Sequence, residues 1–295
     1  MTGQDRACGG GTSGQDRARG GGTSGQNAGA PLRACGLVKT FGGRPAVRDV
    51  SFEVGAGETL AIVGESGSGK STTARMLVGL LRPDRGQVLL DGDDLARLRG
   101  RALRARRRDL QMVFQDPLGS LDPAMRVGAS IAEPLLLHTA LDAAARRDRV
   151  ADLLRRVGLR PEHADRLPRA FSGGQRQRIA IARAIACDPR VLICDEPVSA
   201  LDVSTQAQIL GLLAGLRETT GFGCVFISHD LAVVRLVADR IGVMRGGELV
   251  ELGPAEQIYT DPRHEYTREL VAAVPSLTAR RAARTPCTNP KEVDG

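Results

Sequence analysis

The sequence predicts an α/β protein: a layered core built on a phosphate loop, a small antiparallel β unit ahead of it, and an inserted helical unit. Three observations carry this. The apolar run Leu60-Ala61-Ile62-Val63 leads into Gly64-Glu65-Ser66-Gly67-Ser68-Gly69-Lys70-Ser71 and then Thr72-Thr73-Ala74-Arg75-Met76-Leu77, which reads as strand, phosphate loop and helix. Aromatic residues make up only 3% of the 295 residues and Trp is absent, so the core must be built from Leu, Val, Ile and Ala, which suits α/β layers better than an all-β fold. Between Asp116 and about Pro168 the strand signal gives way to helical periodicity.

Taken in order, residues 1–30 repeat with a period of eleven (Gly3-Gln4-Asp5-Arg6-Ala7, Gly14-Gln15-Asp16-Arg17-Ala18, Gly25-Gln26-Asn27) between Gly-rich spacers. With almost no apolar side chains they cannot offset the entropy of ordering, and a disordered tail is expected. From Leu32 short β-type runs follow: Arg33 to Phe41, Ala46 to Val54 and Thr59 to Val63, separated by Gly42-Gly43 and Gly55-Ala56-Gly57. They read as antiparallel strands leading into the strand of the phosphate loop. Gly86-Gln87-Val88-Leu89-Leu90-Asp91-Gly92 adds a hairpin-like element. In the helical insertion, expected over about 116–170, Val150, Leu153, Leu154 and Val157 fall on one helical face, with Gly158 as a stop. A second helix is expected from about Arg176 to Cys187, capped by Ser172 and stopped by Asp188-Pro189. The last residues, 276–295, read as a flexible tail.

The chemistry is concentrated at strand ends. In the phosphate loop, backbone N–H groups converge on phosphate oxygens and the helix adds its positive end. Lys70 is placed to reach the β- and γ-phosphates, and the Ser71 hydroxyl to bind Mg²⁺. Val191-Leu192-Ile193-Cys194 ends in Asp195-Glu196-Pro197, carboxylates at the carboxyl end of a buried strand, where α/β sheets bind ligands. Asp195 suits Mg²⁺ held through water, and Glu196 suits a base for an attacking water; strand-end capping is the plainer reading of such a pair. Cys224-Val225-Phe226-Ile227 ends likewise in Ser228-His229-Asp230, which sets His229 beside that site. Phe171-Ser172-Gly173-Gly174-Gln175 opens a helix, either as an ordinary start or as a second phosphate-binding N-terminus. Phe41, at the tip of the small sheet, either stacks on an adenine or merely packs.

Charge and cysteine narrow the class. The net charge of +7 is carried by Arg, since Lys occurs only at 39, 70 and 291, and the densest cluster, Arg104 to Arg108, has no aromatic neighbours for base stacking. No nucleic-acid partner is expected; the cluster reads as a solvated or lipid-facing patch. The six cysteines form no C-x-x-C pair, and Cys187, Cys194 and Cys224 lie in apolar runs as small buried hydrophobes in a reducing compartment. No stretch approaches the ~20 apolar residues of a membrane span, so any membrane role would act through a partner.

In combination these segments resemble the ATP-binding-cassette ATPases over roughly residues 32–275. The resemblance rests on an aromatic at the adenine position (Phe41), a Walker A loop (64–71), a Q-loop in Val113-Phe114-Gln115-Asp116-Pro117, the signature 171–175, and a Walker B strand with its glutamate (191–196). The D-loop Ser199-Ala200-Leu201-Asp202 and the H-loop His229 complete it. It implies a P-loop NTPase core of the RecA-like type. ATP would be held by Phe41, Gly64, Glu65, Ser66, Gly67, Ser68, Gly69, Lys70, Ser71, Thr72 and Asp202, with Ser172, Gly173, Gly174 and Gln175 contributed across a head-to-tail pair. Ser71, Gln115 and Asp195 would hold Mg²⁺, and Glu196, Gln115 and His229 would serve hydrolysis.

A finer likeness is to the oligopeptide, dipeptide and nickel import branch. It is carried by Ser120-Leu121-Asp122-Pro123, Ile131-Ala132-Glu133-Pro134-Leu135, Val198 to Ser204, and the tail Asp261-Pro262-Arg263-His264-Glu265-Tyr266-Thr267 within an extension over about 254–275. Many relatives carry a His ahead of the signature, where this chain has Leu167-Pro168-Arg169-Ala170. Some carry a Cys-rich iron–sulfur segment in the tail; Cys287 stands alone, and no cluster is expected. The branch implies an ATPase on the cytoplasmic face of the cell membrane. It would work with two permease subunits, a second cassette that is a copy or a relative, and indirectly an extracytoplasmic solute-binding protein. The competing reading is a soluble cassette acting on ribosomes or nucleic acid. A single cassette without zinc or coiled-coil insertions speaks against it.

Overall fold

The computed structural model describes residues 30–274; the expected tails, all but residue 30 of the first and the whole of the second, lie outside the described residues with Cys8 and Cys287. The chain opens with β1 (Leu32–Phe41) and β2 (Arg44–Val54), an antiparallel hairpin turned at Gly42-Gly43, and continues into β3 (Thr59–Val63), the phosphate loop and α1 (Lys70–Leu77). Next come β4 (Arg85–Leu90), β5 (Asp93–Asp94), α2 (Gly100–Asp109) and β6 (Leu110–Val113). The helical insertion consists of α3 (Pro117–Ser120), α4 (Val127–His138), α5 (Ala143–Arg156) and two 3₁₀ turns, Pro161–Asp165 and Pro168–Ala170. The chain returns through α6 (Gly173–Ala184), β7 (Val191–Asp195), α7 (Val203–Thr220), β8 (Gly223–Ser228) and α8 (Leu231–Val234). It ends with β9 (Arg240–Arg245), β10 (Glu248–Pro254), α9 (Ala255–Thr260) and α10 (Glu265–Ala272).

These strands form two sheets. One is four-stranded and antiparallel in the order β2-β1-β4-β5; the other is six-stranded in the order β10-β9-β3-β8-β7-β6, parallel except for the edge strand β10. The hairpin expected at 86–92 is β4 turning into β5, and β4 also pairs with β1. Strand side chains alternate between faces, and the parallel sheet uses both. Ala61, Val63, Leu192, Cys194, Cys224 and Phe226 join the core under α4–α7. Leu60, Ile62, Val191, Ile193, Val225 and Ile227 join a second core with α1 and the antiparallel sheet. That two-sided burial explains why these strands read as continuous apolar runs rather than alternating ones.

Several boundaries differ from expectation. The helix after the signature starts at Gly173 rather than about Arg176, because Ser172 and Gln175 close a capping box: the Gln175 N–H donates to Ser172 Oγ at 3.4 Å, and the Ser172 N–H to Gln175 Oε1 at 3.1 Å. It ends at Ala184, ahead of Asp188, which takes a φ of +50° before Pro189. In α5, Val150, Leu153 and Leu154 are buried as the periodicity required, and Gly158 follows with a φ of +74°. The arginine cluster lies on α2, where Arg106 pairs with Asp93 at 2.5 Å and approaches Asp91 and Asp109 at 3.4 Å each. It is therefore partly an ion-pair network rather than a uniformly solvated patch. Cys187, Cys194 and Cys224 are buried and free.

Candidate functional site

Four parallel strands, β6, β3, β7 and β8, end at the same edge of the sheet, the edge where open α/β sheets place their ligands. At the end of β3 the loop turns on glycines that no other residue can replace without displacing backbone. A Cβ on Gly64 (φ +149°) would lie 2.1 Å from the Met244 carbonyl oxygen, and one on Gly69 (φ +104°) 2.4 Å from that of Ala46. Lys70, buried at the start of α1, donates from Nζ to the Gly64 carbonyl at 2.8 Å, the Glu65 carbonyl at 2.7 Å and Ser68 Oγ at 3.4 Å. Burial pushes the Lys70 ammonium below its ordinary pKa, against the pull of Glu196, Asp195 and Glu65. Its present partners are dipoles, so an anionic phosphate would be a better one.

The carboxylates meet this loop from β7. Ser71 Oγ donates to Asp195 Oδ1 at 3.0 Å, while burial pushes the Asp195 carboxyl above its ordinary value against that hydrogen bond. These are hard oxygen donors beside a phosphate loop. Among the described residues no three His, Cys, Asp or Glu side chains form a metal cage. A single carboxylate and a hydroxyl suit Mg²⁺, which takes few protein ligands and completes its shell with water and phosphate. Glu196 sits next, at a φ of +47°, its N–H donating to the Ile227 carbonyl at 3.0 Å. Its Oε2 accepts from Gln115 Nε2 at 3.1 Å and lies 3.2 Å from His229 Nδ1. The carboxylate is thus aimed by two neighbours, each standing just past the end of a different strand. A cleft of about 620 Å³ is lined by Gly64, Glu65, Ser66, Gly67, Gly69, Lys70, Ser71, Thr72, Gln115, Glu196 and His229. Ser68, within the same loop, is buried beneath it.

The remaining expected residues lie elsewhere. Phe41 is 50% exposed at the β1–β2 turn, with Lys39 Nζ 5.6 Å from its ring centre, and does not line the cleft. Ser172, Gly173, Gly174 and Gln175 open α6 against the start of α7, where a Cβ on Gly174 would come within 2.4 Å of Thr205 Cγ2. Asp202 caps α7 there, accepting from the Ser204 and Thr205 N–H groups at 3.1 and 3.0 Å and from their hydroxyls at 2.9 and 2.7 Å. Those bonds hold its carboxyl down at about 2. Within one chain, then, the loop, Asp195, Glu196, Gln115 and His229 come together, and Ser172, Gly173 and Asp202, all exposed, form a separate group with the half-buried Gly174 and Gln175.

Sequence reasoning missed two contributors. Ala46 on β2 and Leu270 on α10 also line the cleft. Tyr266, one helical turn before Leu270, accepts the Glu65 N–H at 3.1 Å. The His264-Glu265-Tyr266-Thr267 segment carries part of the branch likeness, but nothing local says that it folds back 201 positions onto the loop. A second cleft of about 590 Å³ runs between α2, β6, α4 and α6; Leu80, Phe114 and Leu137 line it as exposed apolar side chains beside Arg104, Arg107 and His138. It begins at Phe114, the residue before Gln115.

Comparison with known proteins follows the same lines. The family described as ABC transporter matches residues 47–199, and one described as oligopeptide/dipeptide transporter, C-terminal region, matches residues 250–294. The chain is 52% identical over 239 residues to the glutathione import ATP-binding protein GsiA of Pectobacterium atrosepticum, covering 81% of this chain but 38% of that protein. It is 53% identical over 237 residues to the probable peptide ABC transporter ATP-binding protein y4tS of Sinorhizobium fredii, covering 80% of this chain and 67% of that one. Among solved structures it resembles the ATP-binding cassette MJ0796 in a dimeric post-hydrolysis state bound to ADP and Pi, with a TM-score of 0.69, 32% identity, and coverage of 76% and 98%. It also resembles cbiO1 from Clostridium perfringens, with a TM-score of 0.72, 27% identity, and coverage of 86% and 99%.

Proposed function

We propose, from the premise that this chain belongs to the ABC transporter family, that it is the ATP-hydrolysing subunit of a membrane importer for peptides or peptide-like solutes. The observation that carries the proposal is Glu196 Oε2 meeting Gln115 and His229 in the cleft that Lys70 and the phosphate loop enclose. Loop N–H groups and Lys70 bind the β- and γ-phosphates, and Phe41 receives the adenine from the tip of the antiparallel sheet. Ser71, Asp195 and Gln115 are the residues that would hold Mg²⁺, which when bound supplies positive charge to the phosphate oxygens. Glu196 accepts the proton of the attacking water as its oxygen bonds to the γ-phosphorus and the bridging bond to the β-phosphate breaks, giving ADP and phosphate. Gln115 and His229 hold the carboxylate, and through it the water, in line.

The signature and Asp202 stand on a separate exposed surface, so one chain lacks part of an enclosed site. A second cassette, a copy or a relative, supplies Ser172 to Gln175 across a head-to-tail interface. Two permease subunits engage the cleft that begins at Phe114, next to Gln115, which couples closure of the cassettes to the membrane. Among the described residues no helix is long and apolar enough to cross a bilayer, which fits a subunit held on the cytoplasmic face through such partners. An extracytoplasmic binding protein would deliver the solute. The match at 250–294 and the relatives' names support the peptide branch. The chain spans little over a third of the GsiA proteins, so the substrate is part of the proposal.

The test is co-expression with candidate permease subunits, detergent extraction and reconstitution. Retention of the chain by the permeases, with ATP hydrolysis stimulated by a peptide-loaded binding protein, is expected. Recovery of the chain on ribosomes or nucleic acid instead, with no permease retention, would overturn the import reading.

A further inference from the structure

Helix α10 belongs to the C-terminal region, yet it reaches the phosphate loop. The segment ahead of it is pinned by Glu251 of β10, a buried carboxylate that accepts the Arg263 N–H at 2.9 Å and the His264 N–H at 3.0 Å. His264 then caps the helix, its Nδ1 accepting the Tyr266 N–H at 3.1 Å. With its start fixed in this way, α10 presents Tyr266 and Leu270, four residues apart and so on one face, toward the loop and the cleft. The Tyr266 ring is buried, with the Arg245 guanidinium of β9 4.6 Å from its centre.

Glu65 is the second residue past the end of β3, beyond the reach of that strand's ladder. Its backbone N–H has to find a partner outside that ladder, in solvent or in another element. It finds one in the Tyr266 hydroxyl at 3.1 Å, while the Glu65 carbonyl accepts Lys70 Nζ at 2.7 Å. One residue therefore links the phenol on one side to the phosphate-binding ammonium on the other.

We infer that Tyr266 is a positioning residue for ATP: its hydroxyl, acting through Glu65, holds the first turn of the phosphate loop and the Lys70 ammonium in the geometry that receives phosphate. The inference rests on the ATP-binding reading of the cleft and extends it to the C-terminal region, which becomes a brace on the nucleotide site. The effect acts on the phosphate end, so it should be blind to the base.

The test compares the full wild-type chain with Tyr266→Phe, which keeps the ring over Arg245 and removes only the hydroxyl. Calorimetric titration with ATP and separately with inorganic triphosphate, both with Mg²⁺, is expected to show both affinities weakened by the same factor, roughly 2- to 10-fold, the range of one neutral hydrogen bond. The ligand-free melting temperature should fall by no more than a few degrees, the loss of a single hydrogen bond, and amide exchange at Glu65 should be faster in the variant while β3 and β8 stay protected. Unchanged affinities for both ligands, a loss confined to ATP, or unchanged exchange at Glu65 would each overturn the role given to Tyr266. A wild-type chain that binds neither ligand would instead overturn the ATPase reading, and exchange at the Glu65 amide would still decide whether Tyr266 holds the loop.

Discussion

Glu196 occupies a left-handed backbone conformation, φ +47°, that disfavours a non-glycine residue by about 1 to 2 kcal/mol. It is held there by its N–H bond to the Ile227 carbonyl on the neighbouring strand, and the outcome is a carboxylate turned off the strand end into the cleft. Phe41 is the opposite case: half exposed at the β1–β2 turn, it has the Lys39 ammonium 5.6 Å from its ring centre and lies outside the cleft. Phe41→Ala is expected to weaken ATP binding by about 1 to 3 kcal/mol, the usual worth of a base–aromatic stack. Binding of inorganic triphosphate, measured in parallel, should stay the same; equal loss for both would mean that Phe41 serves only the fold. Most residues that line the cleft were legible at this scale because the phosphate loop and the strand-end acids carry their chemistry in local spacing. Tyr266 and Leu270 were not, since a helix packed against a loop 201 residues away leaves no mark in either segment.

Among the elements, those that the sequence revealed are the ones buried in an ordered period: β3, β7 and β8 as apolar runs, and α5 as an apolar stripe. Helix α2 went unread because none of its residues is buried, so it has no apolar face to give a period. Strand β6 is four residues long with two half-buried positions, and it hid within the approach to Gln115, whose place it sets. Strands β9 and β10 mix charged ends with short apolar stretches, and β9 gains its meaning only by pairing with β3. Helix α7 gives a pH-dependent test. Asp202 caps it with a carboxyl lowered from 3.8 to about 2, so its stabilisation is complete above pH 3.8 and is lost as pH falls through about 2. Asp202→Ala is expected to melt below wild type at neutral pH, and the gap in melting temperature should close across that acid window. A gap independent of pH would show that the cap's charge contributes nothing.

For the whole molecule, the proposal turns on two groups of residues that one chain keeps apart. The loop, Lys70, Ser71, Gln115, Glu196 and His229 share one cleft with Asp195 bonded beneath Ser71, while Ser172 and Asp202, exposed at the α6–α7 junction, do not line it. Two chains packed head to tail around ATP would bring the halves together, and hydrolysis would release them. Glu196→Gln separates these steps. The amide keeps the size of the side chain and can still hydrogen-bond, but it cannot accept the water's proton, so turnover should fall about 10²- to 10⁴-fold while Lys70, Ser71 and Asp195 still bind ATP. The most direct measurement is size-exclusion chromatography of Glu196→Gln with and without ATP, run on the chain alone and, should its natural partner be a related cassette, on the mixed pair. A shift from monomer to dimer on adding ATP is expected, and adding Ser172→Arg should abolish it with monomer affinity for ATP nearly intact. A variant that stays monomeric in every pairing while binding ATP, or that turns ATP over at the wild-type rate, would contradict the account.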